Sequence, residues 1–275
     1  KDFVRDFSRS DGALRDVSHH YYIACSERWV GSADVVTVNN QFLQNRFGGH
    51  YLPNSKDTRM FDPARFDPTA SRQKYGLSQY KVLMFPGTAR PHKGLEDVLS
   101  ALDHLNQPDL RLVIVGGRKP DGYEDELMAR WPQWLVKLPR FPMEQMAEVV
   151  AAAHVVVVPQ RNTPTARAQF PIKLTDGMAM AKPILSTRVG DIPKILGDTG
   201  YLVAPHAPEE LAAMLQTIIN DPEMAAKRGQ QARQRCIQHY SVDAMAKRLG
   251  PLIQECIEKH PRRALGKERG QSSLN

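Results

Sequence analysis

Cysteine is scarce in this chain: three in 275 residues, at positions 25, 236 and 256. An odd, widely spaced set without zinc-type spacing excludes a disulfide framework and reads as free thiols in a reducing compartment. The nine histidines are scattered, and the one adjacent pair, His19 and His20, would not face a common ligand on a helix. No metal site is therefore expected. No apolar run is long enough to span a bilayer. The first ten residues, KDFVRDFSRS, are polar and mixed in charge and do not read as a secretory signal. Residue 1 is Lys rather than Met, so a fragment or trimmed chain is expected. The G-x-G-x-x-G dinucleotide fingerprint is missing too: the Gly pair after one apolar run reads Gly116-Gly117-Arg118-Lys119-Pro120-Asp121-Gly122. Basic residues cluster without interleaved aromatics, which argues against nucleic acid as a partner. There are no internal repeats.

What is present has the balance of an ordinary globular protein, 41% hydrophobic and 24% charged, with length for one large or two small domains. The net charge of +7 favours an anionic partner: a phosphate ligand, nucleic acid or a membrane surface. Part of that charge sits in PRRALGKERGQSSLN, a disordered basic tail over 261–275.

From Tyr80 onward, apolar runs alternate with helical patterns. YKVLMF (80–85), LRLVIV (110–115), WLVKL (134–138), HVVVVP (154–159), PILST (183–187) and GYLV (200–203) suit strands buried on both faces of a parallel sheet. In GLEDVLSALDHL, Leu95, Val98, Leu99, Leu102 and Leu105 form one apolar stripe, and MEQMAEVVAAA repeats the pattern. Helices follow over 207–219, from 222 and from 242, with Pro251 expected to kink or break the last near Gly250. Strand and helix in repetition predict an α/β, Rossmann-like, doubly wound sheet, with ligands outside the carboxyl ends of its strands. The first fifty-odd residues supply only a strand (SADVVTVNN) and a short helix (QFLQNRFG) before a Pro/Asp-rich connector, GHYLPNSKDTRMFDPARFDP. They read as the end of an incomplete first domain, with boundaries at 1–57 and 58–245.

Three strand-end loops carry chemistry. In PGTARPHKGLEDVL, Gly87 frees the backbone, Arg90, His92 and Lys93 follow, and a helix starts near Gly94. Cations beside a helix N-terminus make an anion site. VGGRKPDGYEDEL is a turn and helix start. In RNTPTARAQFPIKLTDG, Pro171 suits a first helical turn, backbone N–H groups at Ile172 to Leu174 face outward, Lys173 adds a cation, and Asp176 lies on its side of the helix. A carboxylate there is able to accept both hydroxyls of a ribose, although an i,i+3 surface ion pair would look the same in sequence. Cations on one loop and a carboxylate on another, at one sheet edge, suit a ligand with both a pyrophosphate and a ribose: a nucleotide, with a nucleotide sugar as the favoured case.

At these residues the sequence resembles the retaining GT-B glycosyltransferases of family 4, the group 1 type. YLPNSKDTRMFDP is similar to the interdomain connector of that family, FPGTARPHKGLEDVLSAL to its phosphate loop, and LRLVIVGG, HVVVVPQ and FPIKLTDGMAMAKPILSTRVGDIPKIL to its donor segment. The resemblance covers about 34–250. It implies that Lys93, with Arg90 nearby, binds the donor pyrophosphate, with Gly87 and Thr88 beside it. It implies Asp176 on the ribose, Phe170, Pro171, Ile172, Lys173 and Leu174 facing the transferred sugar, and Arg140 in the loop that borders the base. Gly190 and Asp191 lie in the loop after the next strand. It also implies a GT-B architecture whose first, acceptor-binding domain is represented only by 1–57, and a helix at 246–260 that returns toward that domain. Departures are equally visible. Ala168 stands where the family has its first donor-loop Glu, with Arg167 and Gln169 as the neighbouring side chains; Thr88 stands where it has an Arg; Asp176 is one methylene shorter than Glu.

The resemblance implies transfer of a sugar from a nucleoside diphosphate to an acceptor hydroxyl with retention, by a hexosyltransferase of cell-envelope or polysaccharide biosynthesis. Arg90, Lys93 and Lys173 would stabilise the leaving diphosphate without a metal or cofactor. The acceptor, a saccharide, lipid or small molecule, is unassigned. A cytoplasmic location is implied, with peripheral contact at the inner membrane face compatible with the basic charge. Two rival readings stay open: a non-catalytic nucleotide-binding or scaffold domain of this fold, and a sugar-nucleotide epimerase.

Overall fold

The structure is a computed structural model that describes residues 25–117 and 120–259. The basic tail, the His19-His20 pair, Arg118 and Lys119 lie outside the described residues. The N-terminal segment forms a parallel pair, β1 (Thr37–Val38) and β2 (His50–Tyr51), joined by helix α1 (Gln41–Phe47). The strand expected over SADVVTVNN shrinks to two residues, because a ladder extends only where a partner strand runs alongside. Asn40 caps α1, its side chain accepting the Leu43 N–H at 2.8 Å. The connector leads into α2 (Pro68–Lys74), where Asp67 caps and Pro68 takes the first helical position.

The main sheet has six parallel strands: β3 (Lys81–Pro86), β4 (Leu110–Val115), β5 (Leu135–Leu138), β6 (Val155–Val158), β7 (Ile184–Thr187) and β8 (Tyr201–Val203). Their spatial order is β5-β4-β3-β6-β7-β8. Each expected strand is present, with ends displaced by a residue or so. The alternation along each strand explains the unbroken apolar runs. Val82 and Met84 of β3, Val113 of β4 and Val156 of β6 face one core. Leu83 and Phe85, Leu112 and Ile114, and Val155 and Val157 face the other. Both layers are helical, as parallel sheets require.

On the first face pack α5 (Met143–Ala151), α7 (Ile172–Ala179), α8 (Ile192–Leu196) and α10 (Pro222–Tyr240). On the second lie α3 (Leu95–Leu105), α4 (Tyr123–Arg130) and α9 (Pro208–Asn220). A short helix, α6 (Pro164–Arg167), sits in the loop after β6, and α11 (Val242–Lys259) closes the described chain. Pro251 does not break α11, which continues through it as one helix. The junction before that helix falls at Ser241, whose Oγ accepts the Ala244 N–H at 3.0 Å, so the boundary expected at 245/246 lies inside α11. Among the described residues, no helix is long and apolar enough to cross a membrane.

α7 approaches β6 closely because Gly177 has no side chain. A Cβ there would lie 3.0–3.1 Å from the carbons of Val156. Gly177→Val is therefore expected to push α7 off the sheet and destabilise the fold by about 1–3 kcal/mol. Urea midpoints would show it; a midpoint equal to that of the parent chain would mean that α7 is free to shift.

Candidate functional site

Strand order reverses between β3 and β6. From β3 the chain steps outward to β4 and β5, then returns to the other side through β6, β7 and β8. The loops after β3 and β6 therefore diverge over a crevice at the carboxyl edge, where doubly wound sheets bind ligands. A cavity of about 440 Å³ opens there, lined by Lys56, Gly87, Thr88, Arg140, Ile172 and Asp176, with Met143 and Met146 on its apolar side.

After β3 the backbone passes Gly87 and enters a 3-10 turn, Pro91–Lys93. Lys93 donates its N–H to Arg90 O at 2.9 Å, and Gly94 donates to Pro91 O at 3.3 Å. Gly94 has φ +64°, and a Cβ on it would sit 2.1 Å from the carbonyl oxygen of Pro159 at the end of β6. The first turn of α3 carries Glu96 and Asp97, which Arg161 meets at 3.2 and 3.5 Å. The 3-10 turn uses the N–H groups of Lys93 and Gly94, and acidic side chains stand in the first turn of α3.

The expected cations converge. The Lys93 ammonium is buried and bonds Gln169 Oε1. Gln169 Nε2 lies 3.4 Å from His92 Nε2. Burial, helped by Lys93, Arg90 and Lys173, pushes the His92 imidazole down to about 3, so it is neutral. Lys173 reaches from α7 to the end of β3: a Cβ at Gly87 would meet its Cε at 3.0 Å, and its Nζ lies 4.9 Å from the Phe85 ring centroid. Burial lowers Lys173 to about 8, opposed by the Asp176 charge.

Asp176 lies one turn along α7, buried, and forms an ion pair with Lys56 of the connector. Burial raises its pKa above the usual carboxylate range, against the pull of Lys56 and then of Lys173. Lys173 and Asp176 do not form the i,i+3 surface ion pair: the carboxylate pairs with Lys56, and Lys173 acts on it at longer range.

The other expected residues divide. Gly87, Thr88, Arg140, Ile172 and Asp176 share the one cavity. Ile172 is 46% exposed at its mouth. Phe170 and Leu174, in contrast, turn inward: Leu174 is fully buried, and Phe170 packs on Tyr240 with ring centroids 5.8 Å apart. Leu174 N–H bonds Pro171 O at 2.9 Å, and Pro171 is the buried N-cap. These three hold the loop in place: the helical period turns Leu174 away from Ile172, and Phe170, ahead of the cap, packs on Tyr240. Arg167 lies over the Phe42 ring at 5.4 Å, and Ala168 O accepts from Asn40 Nδ2 at 2.7 Å. Asp191 accepts the Gln41 N–H at 2.9 Å. The N-terminal segment is therefore bonded to both the loop after β6 and the loop after β7.

Lys56 is the site residue that sequence reasoning missed. It stands in an irregular stretch with no periodicity, and its partner is distant along the chain. No local signal marks it.

Solved structures show the same architecture. A sucrose-phosphate synthase from Thermosynechococcus elongatus superposes with a TM-score of 0.75 at 22% identity, over 94% of this chain and 66% of that one. HepE from Anabaena in complex with UDP-glucose gives 0.71 at 21%, over 81% of this chain and 64% of that one. The fold is thus that of a Rossmann-like domain of the GT-B class. The chain belongs to the glycosyl transferases group 1, whose family model matches residues 67–235. It is similar to a D-inositol 3-phosphate glycosyltransferase of Corynebacterium glutamicum, 29% identical over 85% of this chain, and spans 60% of the length of that relative.

The depressed Lys173 has a measurable consequence. It loses its proton near pH 8 in the folded chain and near about 10.4 unfolded. Between those values the unfolded state binds more protons, so stability rises with pH. Lys173→Met is expected to flatten the rise in urea midpoints between about pH 8 and 9.5. An unchanged slope would show a solvated ammonium.

Proposed function

We propose that this chain is the donor-binding part of a glycosyltransferase that moves a hexosyl group from a nucleoside diphosphate to an acceptor hydroxyl with retention. The observation that carries the reading is the cavity in which the Gly87–Thr88 turn, Lys56, Arg140 and the Asp176 carboxylate meet at the switch point, with Lys173 packed against Gly87 beside it. Membership of the group 1 family and the likeness of the fold to a structure with bound UDP-glucose support it.

In this reading the diphosphate lies over Gly87, against Lys173, Lys93 and Arg90. The base lies between Arg140 and the two methionines, and the ribose faces Asp176. As the glycosidic C–O bond breaks, negative charge grows on the leaving diphosphate while the sugar becomes oxocarbenium-like. Cations already fixed in a half-buried site stabilise that charge without reorganising, which lowers the barrier. Lys173, lowered by burial to about 8, is drawn to its charged form by the same diphosphate. The acceptor is a saccharide, lipid or small-molecule hydroxyl.

A binding-only reading has one observation of its own: Ala168 supplies no side chain to hold a sugar, and Gln169 is occupied by Lys93 and His92. Hydrolysis or transfer of a radiolabelled donor would separate the two.

Two measurements address the donor site. In a thermal-shift panel with UDP, GDP, ADP and NAD, one nucleoside diphosphate at a hundredfold its Kd should add roughly 2.7 kcal/mol of stability. NAD should add nothing, and a shift with NAD alone would sink the reading. Lys93→Ala should weaken that diphosphate by about tenfold, or 1.4 kcal/mol, and leave the nucleoside nearly unchanged. Equal losses for both ligands would remove Lys93 from the pyrophosphate.

A further inference from the structure

A buried carboxylate in a ligand cavity is useful as an acceptor only while it is ionised. A protonated carboxyl presents a donor in place of one acceptor site. Asp176 is 8% exposed, and its burial works toward the neutral form. The group that opposes burial is therefore part of the recognition apparatus.

The charged and titratable groups that face Asp176 come from three elements. Lys56 arrives from the connector and pairs with Oδ1. Lys173, on the preceding turn of α7, acts at longer range. The Cys236 thiol comes from α10 and is neutral, because burial pushes it up to about 12. Of these, Lys56 is the one in contact. Its side chain is 6% exposed, and its ammonium stands 4.2 Å from the Phe61 ring centroid. Its backbone is held on both sides: the Lys56 N–H donates to Tyr240 O at 2.8 Å, and the Val242 N–H donates to Lys56 O at 3.1 Å. A lysine built in so firmly is not a screened surface partner. It shares the cavity lining with the carboxylate it binds.

We propose that Lys56 is a positioning residue of the nucleotide site: it keeps Asp176 ionised and fixes its carboxylate by one oxygen, so that the other receives the ribose hydroxyls. The proposal rests on the donor-binding reading above. It gives the connector a direct part in nucleotide recognition, and it moves the acid loss of ribose binding to lower pH.

The test has one readout that needs no ligand and one that does. The chain is labelled at aspartate carboxyl carbons, the Asp176 resonance is assigned with Asp176→Asn, and it is titrated in the parent chain, Lys56→Met and Lys56→Arg. In Lys56→Met, Asp176 is expected to titrate roughly one to three pH units higher than in the parent; Lys56→Arg should stay near the parent. The nucleoside diphosphate that binds best among UDP, GDP and ADP is then measured by calorimetry from about pH 7.5 to about pH 5.5. Its affinity for Lys56→Met should fall by up to roughly tenfold per pH unit, and the parent's fall should come at lower pH. The double variant Lys56→Met/Asp176→Asn, which buries no lone charge, should bind weakly and without that pH dependence.

Three results would overturn the proposal: the same Asp176 titration in the parent and in Lys56→Met; tighter diphosphate binding in Lys56→Met, which would make Lys56 a plug that competes with the ribose; or the same pH dependence in the double variant, which would assign it to another group. A parent chain that binds none of the three diphosphates while the titration behaves as expected would instead count against the donor reading alone.

Discussion

A strand buried on both faces has nowhere to put polar chemistry except at its ends. Along β3 and β6 successive side chains enter opposite cores, and the backbone is bonded to neighbouring strands. The ionisable groups of the central sheet therefore collect beyond Phe85 and Val158. There they face a second constraint, since a half-buried charge is tolerable only beside an opposite one. Asp176 meets that condition through Lys56. Lys173 acts on the pair at longer range, and His92 is kept neutral by burial first and by Lys93, Arg90 and Lys173 after it.

The fold was largely legible because its signal is local. An unbroken run such as LRLVIV states that both faces are covered, and the spacing of Leu95, Val98, Leu99 and Leu102 states which side of α3 is apolar. The cavity residues that follow a strand end directly, Gly87, Thr88 and Arg140, were legible for the same reason. Legibility failed where the outcome depends on a partner far along the chain. The strand read over SADVVTVNN shortens to Thr37–Val38, the stretch that pairs with β2 among the described residues, and Pro251 passes through α11 instead of ending it. Phe170 and Leu174 sit in a segment rich in site residues, but their apolar side chains find Tyr240 and the core first. Lys56 is the extreme case, since nothing in NSKD announces a buried cation.

The departures of the donor loop from its family also change meaning in three dimensions. Sequence offers Arg167 and Gln169 as neighbours of Ala168. The structure assigns each to other work: Arg167 stacks on Phe42 of the N-terminal segment, while Gln169 ties the loop after β6 to Lys93. The same loop gives its Ala168 carbonyl to Asn40. A short stretch of backbone is thereby held from both sides, by the N-terminal segment and by the cation cluster.

The contact between Gly94 and the Pro159 carbonyl has a mechanical meaning as well. With no room for even one carbon between them, and with Arg161 bonded across to Glu96 and Asp97, the loops that follow the two central strands are riveted into a single block. Neither can be reshaped without dragging the other. A chain built this way cannot retune its grip on one part of a ligand independently of the rest. The end of β4 is held in the same way, since a Cβ at Gly116 would lie 2.8 Å from Thr88 N.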